Sequence, residues 1–172
     1  MGFGWGGLTR TISYAPEAPT PAPTPAVDPA RIAEAVRYNE TRGVQDPYAF
    51  RRPSGAGDYA NGAYQVRDAE LATYAPRYLG RAVTPQQFLA SPQMQDQYMR
   101  AKAEALAKRG LTPEQILAAH RGGASDLTPE GLASLVSRNK GYVDAGMQVY
   151  NNPASPPGPA PRSFKDLTEN TP

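Results

Sequence analysis

The sequence predicts a mainly α-helical domain held between two proline-rich segments, and three observations carry that prediction. Five times a capping side chain is followed at once by proline, at Asp28-Pro29, Thr84-Pro85, Ser91-Pro92, Thr112-Pro113 and Thr128-Pro129. A Ser, Thr or Asp oxygen accepts one of the amides that a first helical turn leaves unpaired, and the proline has no amide to leave. Between these starts apolar residues recur at helical spacing, and no alternation of period two runs longer than a few residues. The composition also changes at both ends. Residues 14–27 alternate Pro, Ala and Thr, and beyond Asn152 come Pro153, Pro156, Pro157, Pro159 and Pro161. Such runs favour extended, semi-rigid spacers. The chain therefore divides into a Gly- and aromatic-rich start with a Pro/Ala/Thr-rich linker (1–27), a helical domain (28–150) and a Pro-rich C-terminal tail (151–172).

The first helix spans Pro29 to about Thr41. Ile32, Val36 and the stem of Tyr38 or Asn39 face the core, and Gly43 breaks the helix. A long irregular loop follows, from Arg42 to Ala63, with room for a short hairpin between Ser54 and Ala63. Loops longer than about 12 to 15 residues in a compact domain are usually functional or disordered. Tyr48, Phe50, Tyr59 and Tyr64 stand among its glycines and either form a wall suited to a sugar face or pack the loop onto the helices. Thr84 with Gln87, and Thr112 with Gln115, have capping-box spacing. The helix from Pro92 places Met94, Tyr98, Ala101 and Ala105 on one face and stops at Gly110, a residue fit for a left-handed cap.

Composition removes several function classes. The chain of 172 residues suits one ordinary domain, and its net charge of +2 gives no bulk attraction for nucleic acid. With no cysteine, disulfides, thiolate metal sites and cysteine nucleophiles are excluded. His120 is the sole histidine and cannot make a zinc site alone. Gly55, Gly57 and Gly62 lack the strand and the Lys-Ser or Lys-Thr of a phosphate loop. No motif calls for a metal or a cofactor. No apolar run approaches the roughly 18 residues that span a bilayer, and Met1–Leu8 lacks the basic start and apolar stretch of a secretory signal.

Glu40 is the first residue with a chemical message. It falls near the C-terminal end of the first helix, where the dipole favours cations. The dipole and partial burial both favour a carboxyl that keeps its proton, the form a general acid needs.

The company of Glu40 carries a resemblance. Glu40-Thr41-Arg42-Gly43 resembles the Glu-Ser-x-Gly of lytic transglycosylases, in the lysozyme-like superfamily that includes goose-type lysozyme. Asp46-Pro47-Tyr48-Ala49 resembles that family's Asn-Pro-x-Ala, and Pro53-Ser54-Gly55-Ala56 its Ser-Pro-x-Gly-Ala. Gly62-Ala63-Tyr64-Gln65-Val66 is similar to Gly-Leu-Met-Gln-Ile. Ala119-His120-Arg121-Gly122-Gly123 is similar to Ala-Tyr-Asn-x-Gly, with His120-Arg121 in place of Tyr-Asn. Tyr142-Val143 matches the closing Tyr-Val pair. Residues 57–61 stand as a short insertion.

The resemblance implies a lysozyme-like domain that cleaves peptidoglycan. Glu40 would protonate the oxygen between N-acetylmuramic acid and N-acetylglucosamine, then take a proton from the muramic 6-hydroxyl, leaving a 1,6-anhydro sugar. Ser54, Gly55, Gly62, Tyr64, Gln65, His120, Arg121 and Tyr142 would contact or frame the substrate, with Tyr142 near Glu40. If water attacks instead, as in a hydrolytic muramidase or endolysin, Asp46, Asp58 and Asp68 are the candidate second carboxylates. A structural virion or channel component with a degenerate lysozyme-like fold is the remaining reading. The setting expected is a phage virion, in the tail or ejection apparatus. There the tails would bind other virion proteins, and the domain would act on the bacterial wall in the periplasm without a transmembrane segment.

Overall fold

The computed structural model describes residues 26–152 apart from 56 and 124, together with Met1. The expected Gly-rich start, Pro-rich linker and C-terminal tail lie outside the described residues except at their inner edges.

Each of the five cap–proline pairs starts a helix. Asp28 begins α1 (Pro29–Thr41) and accepts from the amides of Ala30 and Arg31. Thr84 begins α3 (Pro85–Leu89), Ser91 begins α4 (Pro92–Ala107), Thr112 begins α5 (Pro113–Gly122) and Thr128 begins α6 (Pro129–Arg138). Both expected capping boxes form. Two further helices, α2 (Asp68–Leu79) and α7 (Lys140–Asn151), start without a side-chain cap. The described residues are thus mainly helical.

The segment after α1 is more ordered than expected. It forms β1 (Arg51–Gly55) and β2 (Asp58–Asn61), and after a tight turn β3 (Val66–Arg67). All three pair antiparallel in the order β1-β2-β3. The residues expected as an insertion, 57–61, are the hairpin turn and β2. β1 is an edge strand whose five residues are all exposed, the one place where a sheet tolerates Pro53.

The core gathers around α1, which packs against α4, α5 and α7. Ile32, Ala35 and Val36 are fully buried with Leu71, Phe88, Tyr98, Met99, Ile116 and Leu117. Gly146 lets α7 approach closely, because a side chain there would meet the Leu117 methyls and the Asn39 amide. Asn39 Nδ2 donates to the Tyr142 carbonyl at 2.8 Å, tying α1 to α7.

Two expectations about α4 are corrected. The buried face carries Gln95, Tyr98, Met99, Lys102, Ala103 and Leu106, about one residue round from the face through Met94, Ala101 and Ala105. The shift arises because Gln95 and Lys102 are polar yet paired inside. The helix ends at Ala107, with Gly110 (φ +87°) shaping the turn beyond it. Tyr38 is exposed rather than core-facing.

Gln95 is the internal anchor of the strand region. It is fully buried, its Oε1 accepts from the Ala63 amide at 2.9 Å, and its Nε2 donates to the carbonyls of Tyr48 (2.9 Å) and Phe88 (3.0 Å). Gly62 sits against this carboxamide with φ +69°, a position that accepts neither a Cβ nor the space one needs.

Candidate functional site

A groove of about 840 Å³ runs between the β1–β2 hairpin and α2, over α4 and the end of α5. Its size suits a ligand of several rings. Glu40 lines it from the last turn of α1, where the Arg42–Gly43 break stops the helix. The Glu40 side chain is 6% exposed and three cationic or potentially cationic groups surround it. Arg52 of β1 comes within 3.6 Å of Oε2, His120 Nε2 within 3.9 Å of Oε1, and Arg121 within 4.0 Å of Oε1. Both arginines are about half exposed, so solvent screens them.

Tyr142 lies beside this carboxylate from α7. Its hydroxyl is buried without a hydrogen bond of good geometry. Burial first, then the neighbouring Glu40 charge, push the phenol well above its ordinary value, so it stays a neutral O–H. The Arg121 guanidinium stands 5.7 Å from the centre of its ring.

Gln65 lines the same groove in an unusual conformation. Its φ is +49°, the one positive φ outside glycine among the described residues. Its Nε2 donates to the Gly62 carbonyl at 2.8 Å, while its Oε1 is buried without a partner. Ser54 lines the groove from the hairpin.

Three charged residues that the sequence did not single out complete the site: Arg52, Glu70 and Lys102. Lys102 Nζ, largely buried on α4, donates to Glu70 Oε1 of α2 at 2.6 Å and lies 3.3 Å from His120 Nδ1. Glu70 also accepts from the Tyr98 hydroxyl at 3.3 Å. Burial works against its charge, but Lys102 and its hydrogen bond prevail and hold the carboxyl below the ordinary range. His120 is pushed down to about 3 by burial and by Lys102, and is a neutral ring near neutral pH.

Several expected contacts fall elsewhere. Gly62 and Tyr64 are buried beneath the strand region and Gly55 stands at the exposed end of β1; none of the three lines the groove. The Tyr64 hydroxyl donates to Asp96 at 2.6 Å and Tyr48 to the same oxygen at 2.9 Å, with Tyr48 raised to about 12, chiefly by burial. An aromatic sugar wall made of Tyr48, Phe50, Tyr59 and Tyr64 is therefore not what the loop builds. The rings that line the groove are Tyr74 and Tyr78 of α2. Asp46 caps the Ala49 amide at 3.2 Å, Asp58 accepts from Tyr59 at 3.0 Å, and Asp68 pairs with Arg51 at 3.1 Å. None of them faces the groove, whose described acids are Glu40 and Glu70.

Among the described residues no cluster of three acidic or histidine side chains is arranged to hold a metal ion, and no helix is long and apolar enough to cross a membrane. Comparison with protein-family models, with curated proteins and with solved structures gives no match. What the chain does must therefore be argued from the groove and its residues.

Proposed function

We propose that the chain is a peptidoglycan lytic transglycosylase of lysozyme-like fold, with Glu40 as its single acid and base. The observation that carries this reading is the setting of Glu40: a nearly buried carboxyl lining a groove of about 840 Å³, flanked by His120, Arg121 and Tyr142, with Gln65 on the same groove. These are residues that the family resemblance assigns to one site, and they come from four separate stretches of sequence.

The chemistry follows from that setting. A glycan seated in the groove displaces water from around the Glu40 carboxyl. Glu40 then hands its proton to the glycosidic oxygen as the bond breaks through an oxocarbenium-like state. The carboxylate left behind is stabilised by Arg52 and Arg121, and by the N–H and O–H dipoles of His120 and Tyr142 beside it. The same carboxylate next removes the proton of the muramic 6-hydroxyl, whose oxygen closes onto C1. No second free carboxylate is required. That agrees with the groove, where Glu70, the other described acid, is bound to Lys102 at 2.6 Å. Gln65 and Ser54 offer hydrogen bonds to the sugar. Delivery by a phage particle is the setting we propose, the flanking segments docking on other particle proteins.

Digestion of purified peptidoglycan, with fragments weighed by mass spectrometry, tests this. Wild-type protein is expected to give 1,6-anhydro ends and Glu40→Gln to give none while folding normally. Reducing ends would replace the transglycosylase by a hydrolase, and equal digestion by both proteins would remove Glu40 from the chemistry.

A further inference from the structure

We infer that Glu70, Lys102 and His120 form a buried chain that fixes the sole imidazole as its Nε2–H tautomer and aims that N–H at Oε1 of Glu40, so that Glu70 and Lys102 are positioning residues for the reactive carboxyl. The inference rests on the proposed role of Glu40 for its catalytic consequence, but not for the tautomer itself.

The groups follow one another from α2 to α1, with the last separation wider than a hydrogen bond. Glu70 Oε1 lies 2.6 Å from Lys102 Nζ, Lys102 Nζ lies 3.3 Å from His120 Nδ1, and His120 Nε2 lies 3.9 Å from Glu40 Oε1. Lys102 and the side chains of His120 and Glu40 are each less than about a tenth exposed. An ammonium has donors only, so the ring nitrogen it meets must present a lone pair. Nδ1 is therefore the acceptor, and the ring hydrogen of the neutral imidazole sits on Nε2, the nitrogen that faces Glu40.

Each link explains the next. A lysine this buried needs a counter-charge, and Glu70 supplies it with support from Tyr98. A second cation beside that ammonium is unfavourable, so the imidazole remains neutral. The groups facing the ring are Lys102 from α4, Glu70 from α2, Glu40 from α1, the neighbouring Arg121, and the Tyr64 backbone, whose hydrogen bond favours the charged ring but is outweighed by burial and Lys102. A neutral N–H is a fixed dipole toward the carboxyl that does not compete as an acid. The separation of 3.9 Å is long for a hydrogen bond, and such contacts tighten when substrate closes a site. Oε1 faces this N–H, while Oε2 is turned to Arg52 on the groove's β1 wall.

Because there is one histidine, the test is a direct one. Long-range proton–nitrogen NMR of the full chain labelled with ¹⁵N reads the protonation of both ring nitrogens near neutral pH and through acid titration. The wild type is expected to show one protonated nitrogen, Nε2, and to stay neutral on mild acidification. Lys102→Met should shift the ring's titration toward its ordinary value and blur the tautomer; Glu70→Gln removes a charge that favours the protonated ring, so the ring should stay neutral while Lys102 loses its anchor; Lys102→Arg retains the tautomer. In wall digestion the first two variants should lose on the order of 10- to 100-fold in kcat with a changed acid limb and little change in KM. Protonation on Nδ1, or a wild-type ring that titrates near 6.5, overturns the inference even if both variants fail to fold. A correct tautomer in a protein that leaves peptidoglycan intact upholds the chain's geometry and refutes the proposed enzyme. Cleavage with kcat unaltered in folded Lys102→Met and Glu70→Gln refutes their positioning role and leaves the enzyme standing.

Discussion

Acidification should destabilise this protein through one residue. His120 titrates at about 3 in the folded chain and near 6.5 when unfolded. Between those values the unfolded chain binds a proton that the folded chain refuses. Stability must therefore fall as pH falls from 6.5 toward 3, and the loss begins at the unfolded value. The slope approaches about 1.4 kcal/mol per pH unit for one proton, so going from pH 7 to pH 5 should cost about 2 kcal/mol. That is a sizeable part of the roughly 5–15 kcal/mol that holds a domain together. The Glu70 ion pair does not blur the window. Its carboxyl lies below the ordinary 4.5, so the stability it lends is present above that value and goes only as pH drops through the lowered one. Urea unfolding followed by circular dichroism at pH 7 and pH 5 measures the effect. His120→Asn keeps an acceptor near Lys102 but has no proton to gain, and it should lose little over the same interval. Equal losses in wild type and His120→Asn, or a flat wild type, would refute the burial argument.

Three further outcomes follow from the same geometry. Gln95→Leu leaves the Ala63 amide and the Tyr48 carbonyl without their partner, while the Phe88 carbonyl still accepts from the Ser91 amide; at roughly 1–3 kcal/mol for each buried orphan, urea unfolding should show a loss of about 2 kcal/mol or more. Gly62→Ala forces a side chain into a left-handed position against the Gln95 carboxamide and should cost roughly 2–4 kcal/mol in the same measurement, with a lowered melting temperature. Glu40→Gln removes a charge whose two arginine partners are half exposed, so the melting temperature should move by no more than the equivalent of about 1 kcal/mol; a loss of several kcal/mol would make Glu40 a structural residue instead.

What the sequence disclosed and what it hid separate by range. A helix cap is decided within four residues, so Asp28, Thr84, Ser91, Thr112 and Thr128 were legible. Helix α2 was not, because Arg67 offers no capping side chain and Pro76 lies inside the helix, where proline ordinarily argues against one. The hairpin was legible only as a short one between Ser54 and Ala63; its full reach from Arg51 and the third strand were hidden because β1 is exposed throughout and β3 is two residues long, leaving no alternation to detect. Lys102 and Gln95 are polar residues whose partners come from distant parts of the chain, and nothing local marks them as buried. Ordered motifs gathered Glu40, Ser54, Gln65, His120, Arg121 and Tyr142 around one groove. The same motifs contain Gly62 and Tyr64, whose work is to hold the turn that presents Gln65, and a motif cannot tell a ligand contact from its support.

The groove also carries a signal that owes nothing to resemblance. A folded chain normally satisfies its buried polar atoms and keeps non-glycine residues out of the left-handed region. Among the described residues Asn61 Oδ1 and Gln65 Oε1 are buried side-chain atoms without partners, and one non-glycine residue has positive φ, Gln65. Gln65 therefore carries both defects, and it lines the same groove as Glu40; Tyr142 lies beside that carboxyl. Such departures cost stability where they stand, of order 1–3 kcal/mol each, and persist only when the surroundings over-determine them. The surroundings here do so: Gln95 clamps Ala63, Gly62 accepts from the Gln65 amide, and Asn39 holds Tyr142 through its carbonyl. The fold thus carries an unpaired amide oxygen and its left-handed non-glycine residue on the groove that Glu40 also lines.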